Sequence, residues 1–268
     1  MRDILVLRLD APLLSFGAPT VDSLGKTAPH PSRSMLTGLL ANALGWGYGR
    51  ADLERMKGLQ TRLTWAARRD RAGEPMTEYQ TVDLGQRHLW AIGGKSEQGF
   101  GAVSWTTRGA IEERAGAPAN ATGTHQRWRD HYADAVYAVA IGLASGDGPT
   151  IAELATAIQR PARPLFLGRK SCPPAAPLFV AVVQAETVVA ALLPASVPNQ
   201  ACRRDRPGSK PAQAGQFAAL WWPGEEDHPT GDRQFEELSV TEERDWLNQI
   251  HVGERRIRHG RLPMTEAA

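Results

Sequence analysis

Residues 134 to 143 constrain the fold more than any other stretch. Ala135, Tyr137, Val139, Ile141 and Leu143 fall on one side of a period-two ladder, and Val136, Ala138, Ala140 and Gly142 fall on the other. This is the pattern of a β-strand with two unlike apolar faces. The bulky face suits a cover of helices, and the small face lets another segment approach closely.

The segments around it supply partners. Residues 3 to 9 place Leu5, Leu7 and Leu9 at period two, which predicts a first strand. Ser32 stands as an N-cap before Met35, Leu36, Leu39, Leu40, Ala43 and Leu44, whose three-and-four spacing predicts a helix that Gly45 and Gly47 stop. Residues 62 to 69 read as a second strand. Thr150 and Glu153 form a capping box for a helix carrying Ile151, Leu154, Ala155 and Ile158, which Pro161 ends. Phe179 to Val183 reads as a further strand. The order strand, helix, strand, strand, helix, strand is that of an α+β, ferredoxin-like fold, also used by RNA-recognition modules.

Two regions lie outside that pattern. Residues 70 to 132, about the length of a functional insertion, are rich in glycine and mix Trp90, Phe100, Trp105 and Trp128 with Arg87, Lys95, Arg108, Arg127 and Arg129. Aromatic rings among cations suit base stacking and phosphate tracking, and they suit a protein-docking arm equally. Residues 187 to 268 begin with an apolar, helix-like run, Val188 to Leu193, and continue through many prolines. Phe217 to Trp222 is a strand packed on the first domain, and Gly253 to Arg261 reads as a basic tail. The expected organisation is a domain over 1–186 carrying the insertion at about 70–132, with a smaller β-rich region over 187–268.

The most suggestive chemistry lies in Leu165 to Phe179, where Gly168, Arg169, Lys170 and Ser171 stand together ahead of three prolines that forbid a continuing helix. Glycine lets backbone approach a polyanion, arginine forks onto phosphate oxygens, and lysine adds a point charge. Arg33 and Ser34 fall in the first turn of the first helix, where free N–H groups and the dipole favour an anion. Net charge is only +2, but residues 225 to 245 hold nine acidic and two basic side chains, so the rest carries +9. Basic residues bunch at 160–170, 203–210 and 255–261, which admits a nucleic-acid partner.

Several classes are set aside. Gly94-Lys95-Ser96 lacks the upstream glycine of a P-loop, and Arg169 interrupts the glycine–lysine pair in the other candidate. Gly99-Phe100-Gly101 lacks a third glycine at Ser104, so no dinucleotide fingerprint stands. Cys172 and Cys202 fit neither a disulfide framework nor a zinc site, and His125, Asp130, His131 and Asp134 match no metal motif. No cofactor and no metal are expected. Metal-independent RNA cleavage stays open as an alternative, with His30, His88, His125, His131, Tyr132 and Lys170 as available groups. The first apolar run is broken by Arg8, Asp10 and Pro12, and no later run approaches a membrane span, so a cytoplasmic protein without membrane contact is expected.

Three stretches carry a family likeness. They are Leu7 to Pro12 through Ser15-Phe16-Gly17-Ala18-Pro19-Thr20 with Pro31 to Ser34, Trp128-Arg129 leading into Ala133-Asp134-Ala135, and Leu167 to Pro173 with Pro177-Leu178-Phe179. Together they resemble the CasD family, the RAMP-superfamily subunits of the type I-E CRISPR surveillance complex Cascade. The resemblance implies a non-catalytic, RNA-binding subunit of an antiviral defence ribonucleoprotein. Such a subunit caps the 5′ handle of the CRISPR RNA and contacts the backbone and large subunits, with target DNA nearby. It implies a seat for the RNA at Ser15, Phe16, Gly17, Arg33, Ser34, Gly168, Arg169, Lys170 and Ser171. The insertion is implied to be a thumb that folds over the RNA, with Arg87, Lys95, Arg108, Arg127 and Trp128 as its contacts. A protein-docking module without RNA contact is the other alternative.

Overall fold

The computed structural model describes residues 1–18, 23–83, 103–105, 111–113, 124–194, 196–197, 217–228, 230 and 234–264. Its elements run β1 (Arg2–Asp10), β2 (Leu13–Leu14), β3 (Leu24–Gly25), α1 (Arg33–Ala43), α2 (Arg50–Arg62), β4 (Leu63–Arg71), β5 (Glu74–Asp83), β6 (Val103–Trp105), β7 (Ile111–Glu113) and β8 (Thr124–Ala133). They continue through β9 (Val136–Leu143), α3 (Ile151–Gln159), β10 (Phe179–Ala185), β11 (Phe217–Pro223), β12 (Glu236–Val240), β13 (Glu243–Asp245), β14 (Ile250–Val252) and β15 (Arg255–Pro263). The chain divides into one unit of Met1–Pro19, Lys26–Met76 and His131–Ala268, and a second of Thr20–Gly25 and Thr77–Asp130.

The first unit is built on a seven-stranded sheet of order β10-β1-β9-β4-β11-β15-β12. Every neighbouring pair is antiparallel. The two unlike faces of residues 135 to 143 explain how it is covered. Tyr137, Val139 and Ile141 share a core with Leu5, Leu7, Leu9 and Trp65, and that face is closed by Leu36, Leu39 and Leu40 of α1, Leu59 of α2, and Leu154 and Ile158 of α3. Ala138 and Ala140 face the other way, into a core with Ile4, Val6, Val188, Val189 and Leu192. Gly142 shows why small residues are needed there: a Cβ on it would lie 3.1 Å from Val188 Cγ1 and 3.1 Å from Thr64 Cγ2.

The expected helices form with their expected caps. Ser32 Oγ accepts from Met35 N at 3.1 Å, and both halves of the Thr150–Glu153 capping box are made. Two readings are corrected. The run Val188 to Leu193 is not an extended helix but a single 3-10 turn at Ala190–Leu192. It is apolar because Val188, Val189, Ala191 and Leu192 are all buried against the sheet, and Arg68, itself fully buried, pins it by donating to the carbonyls of Leu192 and Val197 while chelating Asp70. The basic segment 253–261 is not a free tail: Arg255–Pro263 is an interior strand between β11 and β12. Two of its arginines are answered by the acidic stretch, Arg255 by Glu242 and Glu225, and Arg258 by Glu237 and Asp227. That pairing brings part of the acidic stretch and part of the basic segment together. α2 was not foreseen, because only Met56, Leu59 and Gln60 of its thirteen residues are buried.

In the second unit, β3 pairs in parallel with β8 through Leu24 and Trp128, and β5 also pairs with β8. Thr77 donates to Asp130, Arg129 donates to Gln80, and Tyr79 packs on Trp128 with ring centroids 5.3 Å apart. No helix among the described residues is long and apolar enough to cross a membrane.

Candidate nucleic-acid interface

Backbone hydrogen bonds fasten the glycine turn to the segment after β1. Ser15 N donates to Leu167 O at 3.2 Å, Leu167 N to Cys172 O at 2.8 Å, and Cys172 N to Arg169 O at 2.9 Å. Further along, Ala175 N donates to Asp10 O and Arg8 N to Leu178 O. Gly168 has φ +97°, and a Cβ there would sit 1.5 Å from the carbonyl oxygen of Ser15. This sharpens the role read for it. The close approach that demands glycine is made by the chain's own backbone, and it fixes the turn beside residues 15–17. Leu165, Leu167 and Cys172 anchor the turn from beneath in the helix-side core, and Cys172 Sγ lies 3.6 Å from the buried His131 Nδ1.

Above this anchor lies a cleft of about 530 Å³ in the first unit, lined by Ser15, Phe16, Gly17, Gly168, Arg169 and Lys170, and by Ser34 and its α1 neighbours. Seven of the nine residues expected to form one seat are therefore brought to one surface. Lys170 is exposed, Arg169 half-buried, and the Phe16 ring is buried edge-on against Tyr137 at 4.9 Å. The fully buried Ser15 Oγ has no hydrogen-bond partner among the described residues. Such a hydroxyl carries a desolvation penalty that a bound polar group would relieve.

Arg33 and Ser171 are not in that lining. Ser171 is exposed next to Cys172. Arg33 is turned into an ion pair with Glu243 at 2.6 Å, and burial first, with the nearby Arg255, holds its guanidinium below the ordinary arginine value against the pull of Glu242 and Glu243. The anion expected at the start of α1 is present, but it is internal. The buried carboxylate of Glu242 accepts from Arg33 N at 2.9 Å and Trp65 Nε1 at 3.0 Å and is paired with Arg255 at 2.9 Å, while its backbone carbonyl accepts from Ser34 N. The sequence separation of 209 residues hides this partner from local reading.

The cleft also contains residues that sequence reasoning missed. The β13–β14 hairpin carries Arg244, Trp246 and His251 to its wall, and Tyr48, 81% exposed, and Phe166 add rings. Gln60 of α2 holds the hairpin by accepting from Trp246 Nε1 at 3.1 Å and from Arg244 N at 3.2 Å. The Arg244 guanidinium stacks over the Trp246 ring at 5.5 Å. Burial, and then Arg244, lowers the pKa of His251, so the imidazole is neutral at physiological pH. An Arg-x-Trp pair beside an acidic run is a faint signal, since only the tertiary fold directs it here. The described lining includes cations, hydroxyls and aromatic rings but no carboxylate, a composition suited to phosphates and bases.

Arg127 and Trp128 lie on β8 in the second unit, half-buried. Arg87, Lys95 and Arg108 lie outside the described residues.

The fold and this lining define a sheet-rich α/β protein with a cleft walled by cations, hydroxyls and aromatic rings. The family profile described as CRISPR-associated protein (Cas_Cas5) matches residues 4–258. Over 193 residues the chain is 32% identical to the CRISPR system Cascade subunit CasD of Escherichia coli (strain K12), covering 72% of this chain and 77% of that one. The fold is similar to a chain of a structure described as a CRISPR RNA-guided surveillance complex, with TM-score 0.60 and 21% identity over 97% of this chain and 90% of that one. A second similar structure, described as a crystal structure of a Cas protein, gives TM-score 0.56 and 22% identity over 97% and 95%. The chain belongs to the Cas5 family of CRISPR-associated proteins.

Proposed function

We propose that this protein is a non-catalytic, RNA-holding subunit of a type I-E Cascade complex in the cytoplasm, capping the 5′ handle of the guide RNA. The observation that carries the reading is the convergence of Gly168–Lys170, residues 15–17 and α1 on one cleft whose described lining holds no carboxylate. Arg169 and Lys170 meet phosphates, the unpartnered Ser15 hydroxyl bonds a sugar or phosphate oxygen, and Trp246 or Tyr48 stacks on a base. The relative named a Cascade subunit supports the assembly. The backbone and large subunits are the partners proposed, with target DNA nearby.

The strand order β10-β1-β9-β4, with α1 and α2 between β1 and β4 and α3 between β9 and β10, supports a ferredoxin-like core over residues 1–186. The remaining strands extend its sheet, and the insertion at about 70–132 serves as the thumb over the RNA, with Arg127 and Trp128 among its contacts. Ser171 lies at the rim of the seat, whereas Arg33 contributes by holding the β13 hairpin.

The test is fluorescence anisotropy of a labelled handle RNA against the parent chain and Arg169→Ala/Lys170→Ala. The reading expects weakening of at least tenfold with an unchanged melting curve, and equal affinities would refute it. One observation favours a second reading, cleavage of repeat RNA: a neutral His251 shares the cleft with Lys170, a base and a cation. Intact repeat RNA after prolonged incubation with the parent chain in EDTA would eliminate it.

A further inference from the structure

The seven-stranded sheet has a second open surface, remote from the glycine turn in sequence and made of different residues. A cleft of about 920 Å³ is lined by Arg69 of β4, Phe217 and Ala219 of β11, Glu236 of β12, and His259 and Arg261 of β15. The register places Ala219 opposite Arg69 on one side and Arg261 on the other, so the three share one face in a row. Neighbouring strands are about 4.8 Å apart, which sets the two arginines on either side of a small residue with room for one anion between them. Phe217 lies two residues along the same strand face, about 6.8 Å away, and is 55% exposed.

The arginine on β4 is held in place: its guanidinium sits 5.4 Å over the Trp221 ring and bonds the hydroxyl of Tyr137. His259 stacks on the other part of that surface, 4.7 Å from Trp221 and nearly coplanar with it. Burial lowers its pKa; Glu236 opposes this, while Arg69 and Arg261 add to it, consistent with both guanidinium groups lying near this face. The described lining sets two guanidinium groups, Arg69 and Arg261, against one carboxylate, Glu236, so charge complementarity points to an anionic occupant.

We propose that this face is a second contact for single-stranded nucleic acid, with a phosphate between Arg69 and Arg261 and a base stacked on Phe217. An exposed ring one step from a paired-arginine slot matches the spacing of base and phosphate in one nucleotide, and the volume suits a group of that size. The inference does not depend on the glycine-turn cleft.

The test uses the full chain carrying Arg169→Ala/Lys170→Ala, so that the first cleft is disabled, and titrates labelled dodecamers of uridine RNA and of thymidine DNA across a salt series. Phe217 and Arg261 are exposed, so their substitution leaves the core intact. Phe217→Ala is expected to weaken residual binding about tenfold with an unchanged salt slope. Arg261→Ala is expected to flatten the slope of log K against log salt by about 0.7. Response of the RNA arm alone identifies the guide or a transcript as the source, and response of the DNA arm alone identifies a displaced strand. The proposal falls if no residual binding remains, if neither variant alters either arm, or if polyglutamate competes as well as the dodecamers, which would mark a protein-docking face. Failure of the glycine-turn reading would instead appear as unchanged binding in the double variant itself.

Discussion

Replacing Gly168 by alanine separates a glycine kept for a bound phosphate from one kept for the fold. The residue has φ +97°, in the left-handed region, where an L side chain costs about 1–2 kcal/mol. The new Cβ would lie 1.5 Å from Ser15 O, whereas ordinary contact begins near 3.4 Å, so the turn must retreat by about 2 Å. That retreat breaks the 3.2 Å bond from Ser15 N to Leu167 O, a further loss of about 1 kcal/mol. The sum, about 2–3 kcal/mol, is a large part of the roughly 5–15 kcal/mol that holds a domain together. Gly17 provides the control, since it has φ +69° and nothing within 4 Å of its Cβ position, so Gly17→Ala carries the conformational cost alone. Urea unfolding of the parent and both variants should place Gly168→Ala well below Gly17→Ala. RNA affinity at zero urea should fall for Gly168→Ala as the cleft wall moves. Equal midpoints for the two variants would refute the steric argument.

Other perturbations follow from the buried charges and histidines. Glu242→Ala leaves Arg255 with only its 4.0 Å contact to Glu225 and removes the acceptor of Arg33 N and Trp65 Nε1, and should cost about 3 kcal/mol, read as a lowered urea midpoint. Arg68→Leu removes the buried ion pair to Asp70 and the donors to two buried carbonyls and should cost about 3–5 kcal/mol by the same measurement. His30 is held below its ordinary value of 6.5, chiefly by burial against Trp65, so its contribution is complete above that pH and is lost as pH falls through the folded pKa. Glu226, raised by burial, acts in the opposite sense and loses its contribution as pH rises from about 4.5. The His30 contribution to the melting temperature should therefore fall as pH is lowered below 6.5, so His30→Phe should make the melting temperature less sensitive to pH on that side. Protonation of His251 adds a cation to the cleft, so RNA affinity should rise as pH falls below 6.5, and His251→Gln should abolish the rise.

The parts of the fold legible in the sequence are those with local causes. The alternation of residues 135 to 143 gave both faces of β9, and Ser32 and Thr150 marked α1 and α3, because period and cap chemistry act within a few residues. α2 was invisible since it buries so few side chains, and β15 read as a charged tail because its counter-charges come from residues 225 to 242. The candidate site divides in the same way. Gly168 to Lys170 was legible as a local cluster of glycine and cations. The β13–β14 wall and the capture of the α1 N-terminus by Glu242 were not, because each depends on residues about two hundred positions away.

The central claim, that the glycine-turn cleft seats the guide RNA, is tested most directly by nuclease footprinting of the guide in a reconstituted effector complex containing either the parent chain or Arg169→Ala/Lys170→Ala. The account predicts that the double variant leaves the 5′ handle open to digestion while the rest of the guide stays protected. A handle protected equally well in both complexes would contradict it.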